Sequence, residues 1–157
     1  MENLTVIPAD IRDWAAVNLI VAMPSQRVLT VTDGRKILDS REPLPKPPGG
    51  ARDEGDKHPD DTNRRETYEE VGIVIREGQS HFVRSRDRRT HYLIGYLTII
   101  SDEQLQSERR STGMEGEVVD TMTAEEILRA GDHEFVPLYR DFFRPELEKI
   151  VAGDVTQ

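Results

Sequence analysis

Three glutamates, Glu66, Glu69 and Glu70, occupy one short stretch of the chain. Residues three and four apart are neighbours on a helix surface, so on a helix these carboxylates crowd one face. Like charges at that spacing cost a bare helix roughly 0.2–0.5 kcal/mol per pair. A hard divalent cation, which takes oxygen ligands, would offset the repulsion and could activate a water molecule. A solvated acidic helix face would carry the same residues with no metal at all. Arg65 borders the cluster and is placed to orient Glu66 through a forked hydrogen bond.

The helix that must carry these groups is marked at both ends. Pro59 suits its first turn, where the missing N–H costs nothing, with His58 or Asp56 as the cap. Gly72 suits the left-handed residue after its last turn, leaving roughly three and a half turns between. Thr67, Tyr68 and Val71 fall opposite the acids, on the side expected to meet a sheet. Upstream, EPLPKPP (Glu42 to Pro48) holds four prolines and cannot be helix or central strand. It reads as an extended approach to a Gly49-Gly50 loop. Glycine there brings the backbone close to a ligand and leaves the Gly50 carbonyl free to coordinate.

Taken together, Gly49-Gly50, Arg65-Glu66, Glu69-Glu70 and Gly72 resemble the signature of the Nudix hydrolases, G-x5-E-x7-R-E-U-x-E-E-x-G-U with U apolar. The core R-E-x-x-E-E-x-G matches at every fixed position. Counting back from Arg65 places the signature glycine at Ala51 and its glutamate at Lys57. A shift of one residue gives those roles to Gly50 and Asp56. Thr67 stands where the family usually has an aliphatic residue. The resemblance implies an α/β fold, a Nudix-like α/β/α sandwich with a mixed sheet, formed as one domain over residues 1–157. It also implies a Mg2+- or Mn2+-dependent hydrolase that cleaves the pyrophosphate linkage of a nucleoside diphosphate derivative. In that role the Gly50 carbonyl, Glu66, Glu69 and Glu70 would hold the cation, and Arg65 would fix Glu66. The segment from Glu115 to Leu128 resembles the family stretch that supplies a further catalytic or metal-binding glutamate. Glu115 and Glu117 are its candidates, as general bases alongside Glu66; loop surface charges are the other reading.

Arg84, Arg86, Arg88 and Arg89 form a basic cluster in an acidic chain. Arg84 and Arg86 alternate onto one face of a strand, and guanidinium groups match phosphate oxygens in pairs, which points to substrate binding. Arg88 and Arg89 read as a charged hairpin tip. Lys46, just before the glycines, is a further candidate for the substrate phosphate. The four histidines lack ligand spacing, and Trp14, Tyr92, Tyr96, Phe142 and Phe143 read as core.

The rest of the chain bounds the partners. It has 157 residues, no cysteine and a formal net charge of −9. That charge argues against a general nucleic-acid or membrane binder, although capped RNA ends stay open. A bound metal and local basic groups can still admit a polyphosphate. The first residues carry acids and no long apolar run, no later stretch reaches the ~18 apolar residues of a membrane span, and a cytoplasmic setting is expected. Three rivals compete with the hydrolase: a non-catalytic Nudix-like nucleotide-binding module (which Lys57 near the expected glutamate favours), a same-fold isomerase acting on a diphosphate, and an acidic α/β interaction domain. Nucleotide sugars, ADP-ribose, dinucleoside polyphosphates, oxidised nucleoside triphosphates and capped RNA are all admissible substrates.

In chain order, strands are expected at Thr5–Ile7 and Trp14–Met23, the latter apolar enough for burial on both faces. A hairpin follows through Pro24-Ser25 to Gln26–Thr32, then a turn at Asp33-Gly34 and a brief edge strand at Lys36–Asp39. After the helix, a strand is expected from Ile73 to Ile75, and a second hairpin from His81–Arg86 and His91–Ile100. Ser101–Met114 reads as a mobile polar loop, and Glu117–Met122 as the last strand. Thr123 with Glu126 has capping-box form, with Gly131 ending that helix. Phe135–Val151 reads as a closing helical region with first-turn prolines at Pro137 and Pro145.

Overall fold

The computed structural model describes residues 13–34 and 43–154. The expected strands at Thr5–Ile7 and Lys36–Asp39 lie outside the described residues. Six strands form one mixed sheet: β1 (Trp14–Met23), β2 (Arg27–Thr32), β3 (Gly49–Ala51), β4 (Ser80–Asp87), β5 (Tyr92–Ser101) and β6 (Val118–Thr123). The order is β4-β5-β1-β2-β6, with β3 also on β1. Only β1 and β5 run parallel. Within residues 43–154 the helices are α1 (Pro59–Val71), α2 (Asp102–Glu108), α3 (Ala124–Arg129), α4 (Pro137–Phe142) and α5 (Arg144–Val151). None is long and apolar enough to cross a membrane among the described residues.

Strand alternation divides the core into two layers. Val17, Leu19 and Val21 of β1 pack with Leu93, Leu97 and Ile99 of β5 against Ile127, Phe142, Phe143, Leu147 and Ile150 of α3 to α5. The alternate residues, Ile20 and Ala22, pack with Ile100 against Val71 of α1 and Leu105 of α2. β1 is therefore buried on both faces, as its unbroken apolar run requires. The α/β/α sandwich follows.

β1 also sets where the sheet opens. One edge pairs with β5 from Trp14 to Met23. The other edge is shared: β3 takes Ala15 to Val17, and β2 takes Val21 and Ala22. Between them the edge is forked, and the Pro45–Pro48 strap runs through the gap. Lys46 exchanges both backbone hydrogen bonds with Val31 (2.8 and 3.0 Å), while the Pro48 carbonyl accepts from the Asn18 N–H at 2.9 Å. Gly49 and Gly50 are thus not a loop but the start of a short strand. A Cβ on Gly49 would overlap the Ala16 backbone, so only glycine fits so close to β1.

α1 forms as its caps dictate. The His58 side chain accepts from the Asp60 N–H, Asp61 reaches back to complete a capping box, and Gly72 takes φ 84°. Two other segments differ from expectation. Ile73–Ile75 is buried at both isoleucines but pairs with no strand; Arg64 donates to the Ile75 carbonyl and Glu108 accepts from the Val74 N–H. The expected mobile loop contains α2, capped by Ser101 and anchored by the single buried Leu105. One apolar anchor is too little for hydrophobic periodicity to register.

Candidate functional site

The fork and α1 enclose a cavity of about 360 Å³ lined by Lys46, Gly49, Gly50, Asp53, Arg65, Glu66, Glu69, Glu70, Met114, Glu115 and Glu117, with Val31 and Asp33 at its β2 side. The residues of α1 reach it because of what the other side of the helix does. Its buried stripe is largely polar: Thr62, Asn63, Thr67 and Val71. Thr67 Oγ1 accepts from Asn18 Nδ2 at 3.0 Å, and Asn18 Oδ1 in turn lies 2.7 Å from Thr98 Oγ1. Threonine at the usual aliphatic position is thereby matched to an asparagine in the middle of β1. Tyr68 is not in this stripe. It is 46% exposed, with the Arg110 guanidinium 4.8 Å from its ring centroid.

Arg65 is the hub of the acidic face. Its fork closes on Asp56 rather than on Glu66: Nη2 donates to Asp56 Oδ2 at 2.8 Å and Nε to Oδ1 at 3.3 Å. Single bonds from Nη1 reach Glu66 (3.1 Å) and Glu69 (3.2 Å), and Nη2 also donates to the Ala51 carbonyl. Asp56 is buried, and it is also supported by the Asp53 N–H at 2.9 Å and by a relay in which Trp14 Nε1 donates to Thr62 Oγ1 and Thr62 donates to Asp56 Oδ2. The hydrogen bond from Arg65 holds the Asp56 carboxyl down at about 2. Lys57 is exposed and takes no part. Asp56, and not Lys57, therefore stands against Arg65.

Gly49 and Gly50 face opposite ways, and this corrects the expected carbonyl ligand. Trp14 with Arg52 and Asn18 with Pro48 are hydrogen-bonded pairs, and Ala16 lies opposite Gly50. Backbone groups alternate along an antiparallel ladder, so Gly50 directs its N–H and carbonyl to β1 while Gly49 directs them away. Consistently, the Gly49 N–H donates to Glu70 Oε1 at 2.7 Å. The carbonyl on the helix side is that of Gly49. Gly50 serves differently: a Cβ there would overlap the Glu66 carboxylate.

Burial pushes the Glu70 carboxyl up to about 8, and the neighbouring charges of Glu66 and Glu117 add to it against the Gly49 N–H and Lys46. Burial also raises Glu66, with Glu69 and Glu115 adding to it and Arg65 opposing. These are carboxylates short of positive charge. Glu115 and Glu117 reach the cavity because their loop docks on the end of α1. The Arg110 N–H donates to the Val71 carbonyl and the Met114 N–H to the Glu69 carbonyl, satisfying groups that the helix leaves without partners. Glu117 Oε1 also accepts from the Glu115 N–H at 3.2 Å.

All-oxygen donors with excess negative charge suit a hard cation such as Mg2+ or Mn2+. Among the described residues, no three acidic or histidine side chains are drawn together tightly enough to enclose an ion. Arg65 holds Glu66 and Glu69 instead. The donor chemistry fits the metal; the closure does not yet exist.

Arg84 and Arg86 are absent from the cavity. They pair with Gly95 and Leu93 of β5, on the sheet face that packs against α4 and α5, opposite α1. Arg84 donates to both Glu146 oxygens (2.6 and 2.7 Å) and to the Phe142 carbonyl, and Arg86 is exposed. Neither is brought to the cavity where substrate was expected to bind, because strand register assigns both to the other layer. The Gly50–Asp56 spacing pointed to Asp56, whereas the contacts of Thr62 with Asp56 and of the Gly49 N–H with Glu70 join residues that no motif in the chain pairs.

Comparison with known proteins bears on the family and the fold. The sequence profile of the NUDIX domain matches residues 13–142. No curated protein matches the chain. Among solved structures, one from work on MutT of Aliivibrio salmonicida and Vibrio cholerae superposes with a TM-score of 0.63 at 16% identity, covering 90% of this chain and 98% of that one. A chain from Chromobacterium violaceum assigned to the Nudix hydrolase family gives 0.59 at 21% identity, covering 90% and 80%. A NUDIX-family hydrolase from Clostridium perfringens gives 0.62 at 13% identity, covering 87% and 97%. At such identities these structures establish the fold, and the profile match over most of the length establishes the family. The chain belongs to the Nudix family.

Proposed function

We propose that this protein is a divalent-metal-dependent hydrolase that cuts the phosphoric anhydride of a nucleoside diphosphate derivative. Family membership supports a pyrophosphohydrolase-type reaction. The observation that carries the finer reading is the convergence of five glutamates, 66, 69, 70, 115 and 117, on one cavity beside the Gly49 backbone. Glu66, Glu69, Glu70 and the Gly49 carbonyl would hold Mg2+ or Mn2+. When bound, the metal supplies charge neutralisation for the diphosphate and lowers the pKa of attacking water. Glu66, Glu115 or Glu117 would accept the proton of that water. Arg65 positions Glu66 and Glu69 and does not face substrate freely, since Asp56 and Ala51 occupy its fork. The feature favouring a non-catalytic module, Lys57, lies outside the cavity. A cytoplasmic setting belongs to the same reading.

A panel of nucleotide sugars, ADP-ribose, dinucleoside polyphosphates, oxidised nucleoside triphosphates and capped RNA, each with Mg2+ or Mn2+, tests it. At least one should be cleaved at the anhydride. Glu66→Gln and Glu70→Gln should each lose roughly a hundredfold or more in kcat while unfolding cooperatively as the parent does. Near-normal turnover in either variant would overturn the mechanism.

A further inference from the structure

We infer that Lys46 is the anion anchor of the cavity, an ammonium on a fixed backbone that takes a phosphate oxygen of the diphosphate on the β2 side of Glu70. This rests on the hydrolase reading above and adds to it the group that recognises phosphate. Two basic side chains line the cavity, Arg65 and Lys46. Arg65 is consumed by Asp56, Glu66, Glu69 and the Ala51 carbonyl. The Lys46 side chain has no hydrogen bond or ion pair among the described residues, although it faces the field of Glu70. A lysine that merely balanced acids would be expected to close on one of them.

The backbone beneath it is unusually constrained. Pro45, Pro47 and Pro48 fix φ on both sides of Lys46. The Pro45 carbonyl accepts from the Val136 N–H at 3.1 Å, Lys46 is bonded both ways to Val31, and the Pro48 carbonyl accepts from Asn18. The Pro45, Lys46 and Pro48 carbonyls are thus tied to three separate segments, the start of α4, β2 and β1. The lysine is therefore presented from a rail that cannot retreat, and ligand binding need not order the chain first. An ammonium also serves as a compact point charge with rotatable donors, suited to a single phosphate oxygen between metal-neutralised groups.

The two roles open to Lys46 have opposite signs toward metal and anion. As an anion anchor it repels Mg2+ and attracts diphosphate. As a structural counter-charge to Glu70 it would organise the acids and support both. Calorimetric titration of the full chain separates them, first with Mg2+ alone and then with methylenediphosphonate in saturating Mg2+, a probe whose P–C–P bridge cannot be hydrolysed. In Lys46→Gln, affinity for methylenediphosphonate should fall roughly ten- to hundredfold, the size of a charge-assisted hydrogen bond. Mg2+ affinity should hold or rise. Lys46→Arg should recover most of the anion affinity, and all three proteins should melt alike. Unchanged methylenediphosphonate binding in Lys46→Gln, or a loss of Mg2+ affinity that accounts for the change, overturns the anchor and leaves the hydrolase reading standing. Failure of the parent protein itself to bind the probe with Mg2+ overturns both.

Discussion

The Glu70 carboxylate ends a 2.7 Å hydrogen bond from the Gly49 N–H, so the acidic face of α1 is fastened directly to the strand that pairs with β1. One N–H is insufficient for a carboxyl group this buried among other acids, and its pKa rises to about 8. In the unfolded chain the same group titrates near 4.5. Between those values the folded state binds the extra proton, so this contribution to stability is complete below about pH 4.5 and is lost as pH rises through about 8. Metal-free protein should accordingly unfold more easily at pH 8 than at pH 5.5. Glu70→Gln should flatten that slope. Mg2+ must displace the proton near pH 7, so its binding enthalpy should vary with the ionisation enthalpy of the buffer. Buffer-independent heats would contradict the assignment.

Asp56 carries the opposite linkage. Its carboxyl is held down at about 2 by Arg65 against an ordinary 3.8, so its stabilisation is present above 3.8 and disappears as pH falls through about 2. The shift corresponds to about 2 kcal/mol at neutral pH. Asp56→Asn should remove about that much from the unfolding free energy measured in urea, and it should loosen Glu66 by freeing Arg65. A variant as stable as the parent would show that the Arg65 fork is idle.

The two adjacent glycines should fail for different reasons. A methyl on Gly50 meets the mobile end of Glu66, so Gly50→Ala should keep its melting temperature within a few degrees while losing tenfold or more in kcat. A methyl on Gly49 meets the fixed backbone of Ala16, so Gly49→Ala should cost about 2 kcal/mol or more of stability. Identical behaviour of the pair in denaturation and kinetics would refute this division.

Arg84 should behave as a strut. Arg84→Ala leaves Glu146 and the Phe142 carbonyl without their donor, which should cost about 1–3 kcal/mol in denaturant unfolding. KM for any substrate found should stay within twofold. A large rise in KM without a stability loss would restore the substrate-binding role.

Much of this protein is determined over distances of a few residues, and there the sequence alone is sufficient. Pro59, His58 and Gly72 bound α1 because caps act within a single turn, and the i, i+3, i+4 spacing of Glu66, Glu69 and Glu70 sets their common face. Thr123 with Glu126 marks α3 in the same way, and the apolar run of β1 announces a strand buried on both sides. What only the tertiary structure decided are partners brought together by strand register. Gly49 rather than Gly50 turns its carbonyl outward because Ala16 lies opposite Gly50 in the ladder. Arg84 is sent to Glu146, 62 residues away, because its place opposite Gly95 assigns it to the other layer. Thr67 finds Asn18, 49 residues away, through packing of α1 on β1, which no local pattern encodes. A shift of one residue in a strand exchanges its faces, so the sequence can name the chemically able side chains while the fold alone decides which of them meet.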